Sequence, residues 1–331
     1  MSDPLADSYA FCRKFARRTA KNFYYSFLGL PADRFDAMCV LYSYMRICDD
    51  IGDDEQQPVE LRRAGLTAWH SEVRRTLGEL ATVDDDEPVE PPTLDALATG
   101  RRVLPALAEM VATFQIPHEY LFEVLAGVRA DLEADQQHDR QSVTDPQCCF
   151  ATFDELTAYC YRVAGVVGRC CIHIWGFNDP RALDLAVDCG LAFQLTNILR
   201  DLAEDAGNGR VYLPADELQR FDYSPQDIVR RTRDERFQQL MAFQVERAAG
   251  YYDRANELFD CLDPVGQPIL AAMILIYGGL LTEIHKRQFD VYSRRVSLPT
   301  WRKLLIAADA MLRRRRIPTR PIPRRTSESN Q

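Results

Sequence analysis

The stretch GLAFQLTNILRDLAED, Gly190 to Asp205, decides how this chain is read. Leu191, Ala192, Phe193, Leu195, Ile198, Leu199 and Leu202 make it apolar, and a polar stripe runs through it. Gln194, Asn197, Asp201 and Asp205 follow one another in steps of three and four, which puts them on one face of a helix. Arg200 lies beside them. Such a stripe looks either into a wet internal cavity or out to solvent. Asp201 and Asp205 stand four residues apart, and the same spacing recurs upstream in Asp49-Asp50-Ile51-Gly52-Asp53-Asp54, between Asp49 and Asp53. Like charges one turn apart repel unless a cation sits between them. Magnesium suits the purpose, because it takes one or two carboxylates and fills its shell with substrate phosphate. Asn and Gln offer neutral oxygens to complete a metal shell or bind phosphate, and Arg suits bidentate phosphate contact. The chain therefore reads as holding a diphosphate through metal ions, its two acidic walls facing across a cavity.

The upstream pair alone is a weak signal, since acids often cluster on solvated helix ends. The C-terminal end of a helix disfavours negative charge, however. Arg46, one turn before Asp50, supplies part of the compensation.

Composition narrows the class. Of 331 residues 47% are apolar and only 16 are glycine. Frequent Ala, Leu, Arg, Glu and Gln favour helix, and no alternating β-branched run appears, so the fold class is all-α. The net charge of −9 argues against nucleic-acid binding. Arg313 to Arg316, with Arg320, Arg324 and Arg325, reads as a solvated basic tail that could touch anionic lipid. Ten cysteines in a chain this long are not a disulfide scaffold, and the polar N-terminus does not read as a secretory signal. A reducing cytoplasm is expected. Cys170-Cys171-Ile172-His173 lacks the paired spacing that zinc requires. The best candidate bilayer span, Pro268 to Leu281, is too short and reads as a buried helix.

Helices are expected over 4–28, from Pro31 through Cys48, over 58–80, 94–114, 118–134, 154–175, 180–206, 225–262, 268–292 and 299–316. The first acidic cluster falls at the end of the second of these. Thr152 or Asp154 is expected to cap the helix starting near 154. Gly165 and Gly168 within it permit close packing or a bend. Thr82 to Pro92 reads as a solvated acidic loop, and 135–146 as a connection. No repeat or interdomain linker is legible.

Metal ions that neutralise a diphosphate turn it into a leaving group. The cation left behind needs a dry pocket with aromatic faces. Phe23, Tyr24, Tyr25, Phe27, Tyr42, Tyr44 and Phe193 lie near the acids, although many aromatics are ordinary core residues.

Four stretches now carry a family resemblance: Lys21-Asn22-Phe23-Tyr24-Tyr25-Ser26-Phe27; Tyr42 through Asp53; Tyr159 through Gly168; and Gln194 through Asp205, continuing into Gly209-Arg210-Val211-Tyr212-Leu213-Pro214. The chain resembles the squalene/phytoene synthases, the head-to-head prenyl synthases, over about residues 8–312. The resemblance implies a single-domain isoprenoid synthase fold over 1–312, helices around a central cavity; composition leaves 313–331 as a basic, proline-containing disordered tail. The resemblance also implies that Asp49, Asp53, Asn197, Asp201 and Asp205 bind magnesium, the four aspartates and Tyr42 being catalytic. Lys21, Asn22, Arg46, Gln194, Arg200 and Tyr212 would contact substrate, Tyr212 closing over the second motif. Gly127 and Asp131 match a further recurrent stretch.

Two departures stand out. Thr19-Ala20-Lys21-Asn22 replaces a Ser- or His-bearing loop, and Phe289 stands where many relatives have Tyr, leaving Tyr277 and Tyr292 as alternatives. The implied activity is head-to-head (1′–1) condensation of two prenyl diphosphates. The favoured pair is two farnesyl diphosphates, giving presqualene diphosphate or squalene. The alternatives are phytoene from geranylgeranyl diphosphate and, in another class, a non-catalytic lipid-binding or assembly factor. A squalene product would call for NADPH. A cytoplasmic protein that visits the membrane surface is expected; oligomeric state is not legible.

Overall fold

The computed structural model describes residues 3–20, 22–54, 56–79, 94–137 and 147–313. Lys21, the acidic loop 82–92 and the tail beyond Arg313 lie outside them. Almost every described element is a helix; one parallel pair of two-residue strands is the exception. Two compact units make up the chain: residues 1–138 with 169–176, and residues 139–168 with 177–331. The chain passes between them three times, so no linker composition marks a boundary.

In the first unit, α1 (Pro4–Thr19), α2 (Asn22–Phe27), α4 (Val59–Thr76), α5 (Asp95–Arg101), α6 (Leu104–Phe114) and α7 (His118–Gln137) all touch α3 (Ala32–Gly52). The predicted helix over 94–114 is two helices, because Pro105 lies in the first turn of α6 and lacks the N–H that a continuous helix needs there. The buried face of α3 carries Leu41, Tyr44, Ile47, Cys48 and Ile51; Trp69, Leu107 and Leu121 of the same unit are buried as well, and the Tyr44 and Trp69 rings lie 6.2 Å apart. The Tyr44 hydroxyl donates to the Leu121 carbonyl at 2.7 Å. The Ser8 hydroxyl donates to the Arg102 carbonyl and accepts from the Ala106 N–H, tying α1 to the joint between α5 and α6.

In the second unit, β1 (Gln147–Cys148) pairs with β2 (Arg210–Val211). The predicted helix over 154–175 is α8 (Phe153–Cys160), a π-helical turn (Tyr161–Gly165) and α9 (Val166–Trp175), which crosses into the first unit. Thr152 caps α8, as expected, accepting from the Glu155 N–H. Against this segment lies α10 (Ala182–Gly207). A Cβ on Gly168 would sit 2.5 Å from the Ala186 carbonyl oxygen, and one on Gly190 2.5 Å from that of Ala164. Glycine at both places is what lets the backbones approach.

The predicted helix over 225–262 is broken into α12 (Pro225–Val229), α13 (Glu235–Ala255) and a 3-10 turn (Asn256–Asp260). Arg231 with φ 56° ends the first piece, and Asp234 caps the second by accepting from the Phe237 N–H at 3.1 Å. The short α11 (Ala215–Arg220), α14 (Gln267–Lys286) and α15 (Thr300–Arg313) complete the unit. α10 packs on α13 and α14, and α15 on α14.

By length and composition α10 and α14 could each cross a bilayer, with mean hydropathy 1.3 and 1.5 over their best windows. That corrects the expectation that no stretch is long and apolar enough. About half of each window is buried inside the protein, which marks both as core helices.

Candidate active site

On α3 the predicted residues gather in the last three turns. Tyr42 is half-buried, whereas Arg46, Asp49 and Asp53 are open to solvent. Arg46 lies 2.6 Å from Asp50 one turn on, the compensation the sequence suggests. The Asp53 N–H closes the helix on the Asp49 carbonyl at 2.8 Å. Although Asp49 reaches solvent, the protein crowded around it disfavours its charge. That desolvation, with repulsion from Asp53 and Asp50 outweighing the pull of Arg46, pushes its carboxyl up to about 7.

Sequence reading misses Arg62. Its side chain is buried, 3% exposed, and its Nη1 donates to the Gly52 carbonyl at 2.8 Å. A guanidinium at the negative end of the helix eases both the dipole and the acids it carries. Gly52 also fits α7 closely: a Cβ there would meet Val128 at 2.5 Å. Gly127 and Asp131 lie on that same helix. Asn22 begins α2, and its side chain lies outside the described residues.

On α10, Gln194, Asn197, Asp201 and Asp205 form one half-buried face, as the spacing predicts, with half-buried Arg200 beside it. Asp201 is held by two arginines. Arg200 grips it through both carboxylate oxygens, Nε to Oδ1 at 2.8 Å and Nη2 to Oδ2. Arg295 Nε reaches Oδ1 at 2.9 Å, and its Nη1 reaches Glu204 at 3.2 Å. Sequence reading misses Arg295, which lies far away in the chain. Asp205 differs: burial first, then repulsion from Asp201 and Glu204, push its carboxyl up to about 7 against the pull of Arg210 and Arg200. Arg210 reaches the Tyr212 hydroxyl at 3.4 Å. Tyr212 stacks on Tyr159 at 5.6 Å and lies 6.3 Å from Phe150.

One turn before Asn197 on the same face, Phe193 stacks on Tyr277 with ring centroids 4.5 Å apart. Tyr252 lies 6.0 Å from Phe193 and shares a 2.9 Å hydrogen bond with Thr196. Burial raises the Tyr277 phenol, while nearby Arg200 pulls it down and Asp201 pushes it up. Of the two tyrosines named as alternatives to Phe289, Tyr277 therefore belongs to this face. Tyr292 instead stacks on Phe237 and meets the Tyr223 hydroxyl at 3.4 Å.

Asn197 tests whether these residues fit a hard cation. Its Oδ1 is buried and accepts no hydrogen bond. A bare buried acceptor costs about 1–3 kcal/mol, which a ligand at that oxygen would offset. Among the described residues no three His, Cys, Asp or Glu side chains form a ready-made metal cage. Pairs of carboxylates with one amide oxygen fit magnesium, which keeps shell positions for substrate oxygens. The Cys170–His173 segment is not such a site. Cys170 and Cys171 are buried and burial pushes both thiols up, Cys171 to about 12.

Known proteins resemble this chain along nearly its whole length. The chain is 32% identical over 324 residues to a phytoene synthase of Arthrospira platensis, covering 94% of each. A 15-cis-phytoene synthase of Synechococcus elongatus is 31% identical, over 93% of this chain and 94% of its own. A Mycobacterium tuberculosis phytoene synthase is 32% identical over 93% and 91%. Among solved structures, a dehydrosqualene synthase superposes with a TM-score of 0.72 at 22% identity, over 93% of this chain and 98% of its own. A squalene synthase from Alicyclobacillus acidocaldarius gives 0.71 at 24% identity, over 86% and 95%. These two likenesses establish the shared fold, the single-domain isoprenoid synthase fold. The squalene/phytoene synthase family profile matches residues 16–302, and with that match the chain belongs to the squalene/phytoene synthase family.

Proposed function

We propose that this protein joins two prenyl diphosphates head to head, and that they are geranylgeranyl diphosphates yielding phytoene. The oxygen face of α10, with its bare Asn197 Oδ1 between the Phe193–Tyr277 stack and Asp201, carries the reaction class. The substrate rests on relatives named phytoene synthases, 31–32% identical along nearly the whole chain. They favour geranylgeranyl over the farnesyl substrate that the sequence alone puts first.

Asp49 and Asp53 on α3, and Asn197, Asp201 and Asp205 on α10, would hold divalent cations, and the all-oxygen donor set fits magnesium. When bound, those cations offset diphosphate charge and make it a leaving group. Arg200 and Arg295, already gathered at Asp201, present guanidinium forks suited to phosphate oxygens. Arg46 does the same at Asp50. Phe193, Tyr277 and Tyr252 offer ring faces to a carbocation and keep water away. In the phytoene reading the final cation loses a proton to released diphosphate, so no reductant is consumed; a squalene product would need NADPH.

Purified protein with Mg²⁺ is incubated with geranylgeranyl or with farnesyl diphosphate, each with and without NADPH, and the lipids are read by mass spectrometry. The expected result is a C40 hydrocarbon from the C20 substrate, independent of NADPH. A C30 lipid formed only from farnesyl diphosphate would overturn the substrate. No product from either, with the fold intact, would overturn the reaction.

A further inference from the structure

Among the described residues Glu217 is the one buried acid, 7% exposed, in the first turn of α11. Its partners come from α13, where Gln244 and Arg247 lie three residues apart on one face. Gln244 Nε2 donates to Glu217 Oε2 at 2.6 Å, Arg247 Nη1 donates to the same oxygen at 2.8 Å, and Arg247 Nη2 donates to Oε1. The Arg247 guanidinium also lies 3.6 Å from the centre of the Phe153 ring, at the start of α8. One side chain of α13 thus grips the first turns of two other helices.

The stretches that lead into those two helices border the acid face. Residues 147–151 and 210–216 run side by side. The Cys149 N–H donates to the Val211 carbonyl at 2.8 Å, the Ala215 N–H to the Phe150 carbonyl at 3.0 Å and the Asp216 N–H to the Ala151 carbonyl at 3.1 Å. At the far end β2 packs on α10, Arg210 sits where its charge draws on Asp205, and Tyr212 stacks on Tyr159. A parallel pair of two-residue strands is too short to hold its own geometry, so the ladder needs an anchor outside itself. A buried ion pair adds little net stability, because the cost of taking both charges out of water offsets their attraction. What a two-pronged guanidinium–carboxylate contact does supply is one defined orientation.

We propose that Glu217, Gln244 and Arg247 are positioning residues: their contact anchors both stretches on α13 and so holds Arg210 and Tyr212 at the Asp205 end of the α10 face. Their effect on turnover rests on the reaction proposed above; the anchoring itself is measured without substrate.

Glu217→Gln keeps the volume and removes the charge, and Arg247→Lys keeps the charge and removes the fork. Each is compared with the unaltered protein by hydrogen exchange read by mass spectrometry, without ligand, and by steady-state kinetics. The expected result is exchange at least about tenfold faster over 147–153 and 210–217, with α14 unchanged. On prenyl diphosphate kcat should fall about tenfold or more, as a small misplacement of contact groups does. In a background carrying Arg210→Gln and Tyr212→Ala, where the anchored groups are already gone, Glu217→Gln should lower kcat by a further factor of no more than about three. Unchanged exchange over both stretches in both variants would overturn the proposal. So would losses in kcat that multiply in that background, or exchange that rises equally in α14, since the contact would then be a general support of the fold. Failure of the unaltered protein to turn over would sink the reaction instead, and the exchange result would still decide the anchor.

Discussion

The acids at the end of α3 and those along α10 share a spacing but differ in how the chain neutralises them. On α3 the compensation at Asp50 and at the helix end is local: Arg46 one turn back, on the surface, and buried Arg62 acting through the Gly52 carbonyl rather than a carboxylate. On α10 it is imported. Arg295 comes from beyond α14 to join Arg200 on Asp201, leaving Asp205 with its charge disfavoured. Each region thus keeps a carboxyl pushed up to about 7, Asp49 in one and Asp205 in the other. Both therefore offer a cation more than the surrounding protein already supplies.

The largest effects should come from carboxylates whose charge the protein leaves unsatisfied. Asp49→Asn and Asp205→Asn should each lower kcat by about a thousandfold or more, with thermal stability maintained or raised, because a repelling charge is removed. Steady-state kinetics with a melting curve checks both; a variant within tenfold of the unaltered rate would take that aspartate out of the metal set.

Next come the two arginines, which separate the regions most sharply. Arg62→Met should cost about 2 kcal/mol in denaturant unfolding, because a buried hydrogen bond to a helix-terminal carbonyl is lost. Arg295→Gln, whose side chain is 56% exposed, should change stability by no more than about 1 kcal/mol and instead raise KM. If Arg295→Gln unfolds the protein and Arg62→Met does not, the assignment of structural and substrate roles is reversed.

The smallest effects test packing around α10. Gly190→Ala should destabilise by about 1–3 kcal/mol, since its Cβ would strike backbone atoms of Ala164 and Gly165. Gly207→Ala, in the last turn of the same helix with nothing within 4 Å of a new Cβ, should stabilise by about 0.5–1 kcal/mol. Urea unfolding of both variants gives the contrast directly.

These residues also show what a sequence can disclose. The polar face of α10 was legible because helical periodicity is local: steps of three and four suffice to align Gln194, Asn197, Asp201 and Asp205. The same holds for Arg46 with Asp50, and for the Thr152 cap. Arg62 and Arg295 were not legible, because each acts on a partner brought near only by packing. The breaks at Arg231 and within 161–165 were missed for a different reason. At Arg231 the helix ends in a local left-handed turn, the Thr232 N–H reaching the Asp227 carbonyl at 2.9 Å, with an arginine where glycine would have signalled it, and the π-helical turn carries no propensity signal. Which of the two substrates is taken is not legible, because chain length is set by pocket depth, which no motif encodes; relatives named phytoene synthases favour the alternative of geranylgeranyl diphosphate.

Titration calorimetry of Mg²⁺ into the protein in the presence of inorganic diphosphate tests the central claim most directly. The account predicts saturable Mg²⁺ binding that depends on diphosphate and is lost or weakened at least about tenfold in both Asp53→Asn and Asp205→Asn. Binding that survives unchanged in both variants would contradict it.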